Sequence, residues 1–198
     1  MTGAAISESI IADVSRYINK FKDIGSDYAV TEPGIFYRDF EKETLKQNLL
    51  FPSYPASKDI CCLGGIVNNN AGGEKSLEYG KTEKYVKNLH VILSDGNEYE
   101  FKPLDELELQ KKLLLKNFEW EIYRNIYKLV TENYEDLIKA KPEVSKNSAG
   151  YYLWNVWDPK TKIFDLTKLF VGAQGTLGLL TQATVKLVPT RKHSAMLI

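Results

Sequence analysis

The chain has 198 residues, 43% hydrophobic and 26% charged, the range of a globular protein with length enough for one domain or two small subdomains around a real core. Its 26 basic and 26 acidic residues cancel, so no overall field draws it toward nucleic acid or an anionic membrane. A phosphate-rich ligand must be held by local geometry.

In chain order, SIIADVS (Ser9 to Ser15) is short, β-branched and bounded by polar residues, and predicts a strand. DYAVTEPG (Asp27 to Gly34) predicts a second strand ended by the Pro33-Gly34 turn pair. In IFYRDFEKETLKQNLL, Ile35, Phe36, Phe40, Leu45 and Leu49 recur near helical spacing and predict an amphipathic helix. FPSYPAS, with two prolines, breaks regular structure. YVKNLHVILSDGNEYEFKPL predicts a hairpin, since Asp95-Gly96 suits a type I′ turn.

From Leu104 to Lys141 the charge density rises and glycine is absent. Phe118, Ile122, Ile126, Leu129 and Val130 recur at about 3.6 spacing. We read a helical insertion over 104–142, built from two helices, whose apolar stripe fits packing onto the domain better than docking of a partner. KNSAGYYLWNVWDPKTK is loop-like and aromatic. The closing stretch LFVGAQGTLGLLTQATVKLVP places a glycine turn before a run, Ala183 to Val188, that alternates like a strand.

The two cysteines, Cys61 and Cys62, are adjacent, a poor geometry for a disulfide, and this suggests a reducing setting. With only His90 and His193 beside them, no metal site is expected. No apolar run reaches the length of a membrane span and no signal peptide is visible, so a soluble, cytoplasmic protein is expected, with peripheral membrane attachment only through other segments or partners.

Two stretches concentrate bare backbone. GGIVNNNAGG (Gly64 to Gly73) removes side chains so that N–H groups can approach a ligand, and its asparagines add donors and acceptors. GAQGTLG (Gly172 to Gly178) follows about a hundred residues later. Two amide-rich loops on one β-scaffold favour a shared extended ligand. Neither matches a P-loop or a dinucleotide GxGxxG fingerprint.

PxSxxxxxxGGxxxNNAGG, a tyrosine-glycine pair, a strand ending in Asp-Gly and a final VGxxGTLGxxTxAT together resemble the FAD-binding domain of the vanillyl-alcohol oxidase and p-cresol methylhydroxylase (PCMH) type. The nearest branch holds the FAD-linked D-lactate dehydrogenases, glycolate oxidase FAD subunits and D-2-hydroxyglutarate dehydrogenases. KNSAGYYL is similar to the KNxxGYxL that precedes the second loop in that branch. The resemblance implies an α+β fold of two subdomains with FAD between them. Residues 1–198 would be part of that domain, with 1–50 the remainder of the first subdomain and 51–198 a second, mainly antiparallel one. It also implies that the first half of the pyrophosphate loop lies upstream of Thr2 and a substrate domain beyond Ile198.

Carried over by position, the resemblance places Pro33 and Gly34 at the border of the flavin site. Pro55, Ala56 and Ser57 would pass near the pyrophosphate or ribityl chain. Cys62, where threonine is usual, would line the pyrophosphate and isoalloxazine with Gly64, Gly65, Asn69, Asn70, Ala71, Gly72 and Gly73. Gly172, Gly175, Thr176, Gly178 and Leu179 would close the site, with Leu180 and Thr181 nearby. Ala173-Gln174 replaces the commoner Ser-Glu and removes a carboxylate.

The implied activity is oxidation of a 2-hydroxy acid to the 2-oxo acid by hydride transfer to noncovalent FAD. The electrons would leave to a quinone, cytochrome, iron-sulfur protein or electron-transfer flavoprotein. No catalytic residue is assigned, and this stretch alone is expected to be inactive and to bind FAD weakly or not at all. Tyr151, Tyr152 and Trp154 are candidates for the flavin or substrate edge. A reductase of the same fold, like the UDP-N-acetylenolpyruvylglucosamine reductases, and a noncatalytic binding module are the alternatives.

Overall fold

The structure is a computed structural model that describes residue 8, residues 10–144, residue 147, residues 149–191 and residue 193. Residues 1–7 and Ser9, at the end of the expected pyrophosphate loop and the start of the expected first strand, lie outside the described residues. The rest of that expected strand is not extended pairing. The Asp13 carboxylate accepts from Ser15 N–H (3.0 Å) and Ser15 Oγ (2.6 Å), and Ile18 N–H closes a turn on Val14 O at 3.1 Å. Ile10 and Ile11 are left exposed. β-Branched composition favours a strand only where a neighbouring edge accepts it.

The first strand is β1 (Phe21–Ile24), and β2 (Tyr28–Thr31) follows as expected. Helix α1 (Tyr37–Leu45) is shorter than its apolar spacing predicts. Asn48 takes the left-handed conformation, φ 57°, which ends a helix at little cost for asparagine. Leu49 then leaves the helical face for β3 (Leu49–Leu50). Two short helices, α2 (Leu63–Asn68) and α3 (Ser76–Tyr79), come next.

The hairpin is formed by β4 (Val86–Ile92) and β5 (Glu98–Phe101). Its turn is not type I′, because Gly96 (φ 81°) has positive φ while Asp95 does not. Ile92 pairs with Glu98, so the loop has more than two residues. Gly96 N–H closes it on Leu93 O at 3.0 Å. Glycine there supplies the left-handed step at the end of a longer hairpin loop.

After β6 (Pro103–Leu104) the insertion holds three helices, not two: α4 (Glu106–Leu113), α5 (Phe118–Glu132) and α6 (Tyr134–Ala140). Side-chain caps divide it. Asp105 and Glu108 form a reciprocal capping box, and Asn117 Oδ1 accepts from Trp120 N–H at 3.0 Å, each satisfying donors a helix start leaves open. The stripe packs inward through Tyr123 and Val130, both fully buried, whereas Leu129 is 43% exposed. Tyr123 stacks on Phe101 of β5 with centroids 6.2 Å apart and tilts against Phe164 at 6.0 Å.

The chain finishes with β7 (Trp157–Asp158), β8 (Ile163–Asp165), α7 (Thr167–Phe170), β9 (Leu179–Lys186) and β10 (Val188–Pro189). Strands β1, β2, β9, β4 and β5, in that spatial order, form a five-stranded sheet with antiparallel neighbours. Strand β9, last of the five in sequence, occupies the centre. The sheet therefore runs across residue 50. Pairs β3–β10 and the trio β6–β8–β7 form smaller sheets. Leu89, Phe101, Val185 and Phe40 are fully buried in one continuous core.

Because Leu89 lies in central β4 with no exposed surface, Leu89→Ala is expected to cost about 2–5 kcal/mol. Urea unfolding followed by circular dichroism should show a lowered midpoint at an unchanged slope.

Candidate functional site

Three stretches distant in sequence converge. The TEPG turn is stitched to the start of α2: Leu63 N–H donates to Ile35 O (2.9 Å) and Gly64 N–H to Pro33 O (2.8 Å). At the other end of α2, Val67 O accepts from Gly172 N–H (3.1 Å) and Asn68 O from Gln174 N–H (2.8 Å). A helix end leaves carbonyls unpaired; here the second glycine loop satisfies Asn68 O and gives Val67 O, which also accepts from Asn70 N–H at 3.0 Å, a second donor.

The convergence leaves a cleft of about 280 Å³. Pro33, Cys62, Gly64, Gly65, Gly175, Gly178 and Leu179 line it together with Val14, Asn68 and Leu180. The first seven are among the residues singled out from sequence. Asn68, the first of the asparagine run, was legible as a donor but not as a lining residue. Val14 was hidden by the expectation of a strand.

The other singled-out residues lie elsewhere. Gly34 N–H donates to Ile18 O at 2.8 Å, and a side chain there would collide with Val14 O. Pro55, Ala56 and Ser57 do not line the cleft; Ser57 O accepts from Ile60 and Cys61 N–H at 3.0 and 3.1 Å. Asn69 N–H donates to Gly65 O at 3.0 Å and ends α2. Ala71 O accepts from Ser53 Oγ and Thr82 Oγ1, both at 2.9 Å. Thr176 Oγ1 donates to Ala173 O at 2.6 Å.

Asn70 is fully buried, and its amide is engaged internally: Nδ2 donates to Glu83 Oε2 (2.9 Å) and Tyr152 Oη (3.2 Å), while Oδ1 accepts from Glu83 N–H (3.0 Å). Tyr152 is buried in this network and Trp154 packs against it at 5.2 Å.

The glycines divide by what a methyl group would meet. At Gly64 it would lie 2.5 Å from Pro33 Cβ, and at Gly178 2.5 Å from Val91 Cγ1. At Gly72 and Gly73 it would strike Ser76 Oγ and Tyr54 O, and at Gly172 it would approach Gly150 Cα to 3.2 Å. At Gly65 and Gly175 it would meet nothing within 4 Å. Both line the cleft. Gly175 has φ 79°, a left-handed step that favours glycine whatever the space, whereas at Gly65, inside α2, neither packing nor a positive φ accounts for the missing side chain. The Gly65, Gly175 and Gly178 N–H groups also form none of the backbone hydrogen bonds that tie the loops together.

The walls are electrically neutral. Among the described residues Cys62 is the one titratable lining residue, and burial, followed by the Asp13 carboxylate, raises its thiol above the ordinary range against the opposing pull of Arg38. Burial likewise pushes the Cys61 thiol up to about 11, with the neighbouring Cys62 adding to the effect. Apolar walls with open N–H donors suit a flat ring system that carries carbonyl acceptors, such as a flavin.

A larger groove of about 720 Å³ is lined by Glu41, Leu45, Tyr54, Lys58, Leu77 and Arg191, among others. Most of its charges are paired. Lys58 pairs with Glu41 at 3.3 Å, Arg191 with Glu78, and Tyr54 Oη donates to Glu74 at 2.7 Å. Lys75, the remaining charged lining residue, lies with Nζ 5.7 Å from the centroid of the Tyr54 ring.

The FAD binding domain family matches residues 1–102 of the 198, and the chain belongs to that family. Its fold is α+β, of the PCMH type, and FAD is the cofactor of that domain. Across 192 residues it is 27% identical to the D-2-hydroxyglutarate dehydrogenase of Pantoea ananatis, covering 96% of this chain and 19% of the relative. It is 28% identical to glycolate oxidase subunit GlcD of Bacillus subtilis, covering 94% and 29%. With the D-lactate dehydrogenase of Archaeoglobus fulgidus the identity is 23%, covering 100% and 33%. The chain thus spans between a fifth and a third of these curated relatives. Among solved structures, an alkyldihydroxyacetonephosphate synthase shares the fold with a TM-score of 0.53 and 18% identity, covering 90% of this chain and 23% of that one.

Two neighbouring substitutions separate packing from ligand space. Gly64→Ala is expected to destabilise by about 1–3 kcal/mol through overpacking. Gly65→Ala, inside α2 with open space before it, should raise stability by about 0.5–1 kcal/mol through helix propensity. Thermal unfolding of both variants checks the pair.

Proposed function

We propose that the chain supplies part of the flavin site of an FAD-dependent oxidoreductase that oxidises a 2-hydroxy acid to the 2-oxo acid. The observation that carries this reading is Gly65, which lines the cleft with bare backbone that neither a neighbouring protein atom nor a positive φ requires. The substrate class is supported by the three relatives, whose names specify D-2-hydroxyglutarate, glycolate and D-lactate. All three are 2-hydroxy acids.

Bound FAD would accept the hydride from C2 of the substrate while the hydroxyl proton leaves to a base, and would release both electrons to a quinone, cytochrome, iron-sulfur protein or electron-transfer flavoprotein. Within this chain, Pro33, Leu179 and Leu180 give the cleft its apolar walls, and the Gly65, Gly175 and Gly178 N–H groups are fixed donors that need not reorganise to meet an acceptor. Cys62 stays protonated near neutral pH, since its thiol is raised, and is no base. No base is assigned to the cleft, and that group is assigned to other parts of the enzyme.

The reading includes a noncovalent cofactor, since among the described residues no histidine lines the cleft and the Cys62 thiol is not activated. It includes weak binding by these 198 residues alone. The cleft, at about 280 Å³, lies at the lower end of the ~300–1,000 Å³ of small-molecule sites, enough for part of a dinucleotide. Among the described residues no helix is long and apolar enough to cross a membrane; the reading places the enzyme in the cytoplasm, with any membrane attachment made through partners. It treats residues 1–198 as part of one FAD-binding domain. It takes 1–50 as the remainder of the first subdomain and 51–198 as the second, with β1 and β2 of the first joined to β9 of the second in one sheet.

Titration with FAD, followed by flavin fluorescence, tests the reading. The chain should show saturable but weak binding, and Gly65→Leu should lower the affinity about tenfold or more, equivalent to about 1.4 kcal/mol, without lowering the melting temperature. Equal responses from the two proteins, or no response from the wild type, would contradict it.

A further inference from the structure

The segment Gly150–Tyr152 lies outside the cleft lining, yet its three consecutive residues each reach a different point of the two glycine loops. Gly150 is buried with φ 82°, and a side chain there would collide with Gly172 O. The two backbones pass with no room between them. Tyr152 Oη accepts from Asn70 Nδ2 at 3.2 Å and from Lys81 Nζ at 3.1 Å, and donates to Asn147 O. One donor and two acceptor positions exhaust a phenol, so this hydroxyl is fully committed to tying Asn70 in place.

Tyr151 is the informative member. Its φ is 50°, a left-handed conformation that is strained for a tyrosine and persists only where the surroundings impose it. Burial does not impose it, because the residue is 45% exposed. Its hydroxyl is hydrogen-bonded to Thr176 Oγ1. Thr176 spends its own proton on Ala173 O at 2.6 Å, so Tyr151 is the donor. The bond lands beside Gly175, whose backbone lines the cleft in a left-handed conformation, φ 79°.

We propose that Gly150–Tyr152 is a clamp that fixes the second glycine loop against the first, with Tyr151 the positioning residue that holds Thr176 and thereby sets Gly175 against the cleft. The proposal rests on the cofactor reading above. In it, Tyr151 acts through the loop and not by contact with the cofactor.

Tyr151→Phe, Thr176→Val and Thr176→Ser, made singly, and the Tyr151→Phe/Thr176→Val pair test it by two readouts on the 198-residue chain. Without FAD, amide exchange at Gln174 and Thr176 should quicken in Tyr151→Phe while exchange in the 86–101 hairpin stays as in the wild type. With FAD, Tyr151→Phe and Thr176→Val should each weaken binding about fivefold, the equivalent of one hydrogen bond. Their combination should be no worse than either alone, because they remove the same interaction. Thr176→Ser should bind as the wild type does. Unchanged exchange at Gln174 and Thr176, or unchanged FAD affinity in Tyr151→Phe, overturns the clamp. A wild type that responds while the variants match it sinks the clamp alone, whereas a wild type with no FAD response sinks the cofactor reading and the clamp with it.

Discussion

The site depends on a helix end. Helix α2 is only Leu63–Asn68, too short to be stable by itself, and its last carbonyls need partners. Gln174 provides one to Asn68 O, and Gly172 adds a second donor to Val67 O, from a loop about a hundred residues away in sequence. The loop runs directly into β9, the central strand of the main sheet. Its far end is therefore held by two ladders of backbone hydrogen bonds while its near end caps α2. A cleft between two glycine-rich loops, which would otherwise be the most mobile part of a domain, is built from rigid elements.

Glycine serves two purposes here, and only their separation identifies the ligand space. Gly64, Gly72, Gly73 and Gly178 are small because neighbouring protein atoms leave no volume. Gly175 has open space around it but a φ of 79° that favours glycine, and Gly65 is small with volume available and no positive φ. Asparagine divides in the same way. Asn70 is a buried structural hub, whereas Asn68 lines the cleft. The density of glycine and asparagine in the first loop reflects tight local packing as much as it reflects a ligand.

Much of this was legible in sequence. Strand β2, the β4–β5 hairpin and the strand after the second glycine loop all carry short-range signals, and ordered motifs pointed to the flavin family and to the cleft-lining positions Pro33, Cys62, Gly64, Gly65, Gly175, Gly178 and Leu179. What stayed hidden was decided by distant partners or by single residues. Ile10 and Ile11 read as a strand because composition cannot show that no edge awaits them. Asn48 cut α1 short by one left-handed residue. The Asp105–Glu108 box and the Asn117 cap were present as short motifs in the insertion, but the apolar stripe, which has no markers for helix ends, obscured them. The inward turn of the Asn70 amide depends on Tyr152, 82 residues away, and nothing local announces it.

The central claim is that the cleft between the loops, and not the larger groove, receives the flavin. Amide chemical shifts recorded by ¹⁵N NMR during an FAD titration test it most directly, since they report contact even when binding is weak. The account predicts that Gly65, Gly175 and Gly178 move most, with Gly72, Gly73 and Asn70 little affected. Shifts concentrated instead around Leu45, Leu77 and Arg191, which line the larger groove, would contradict it.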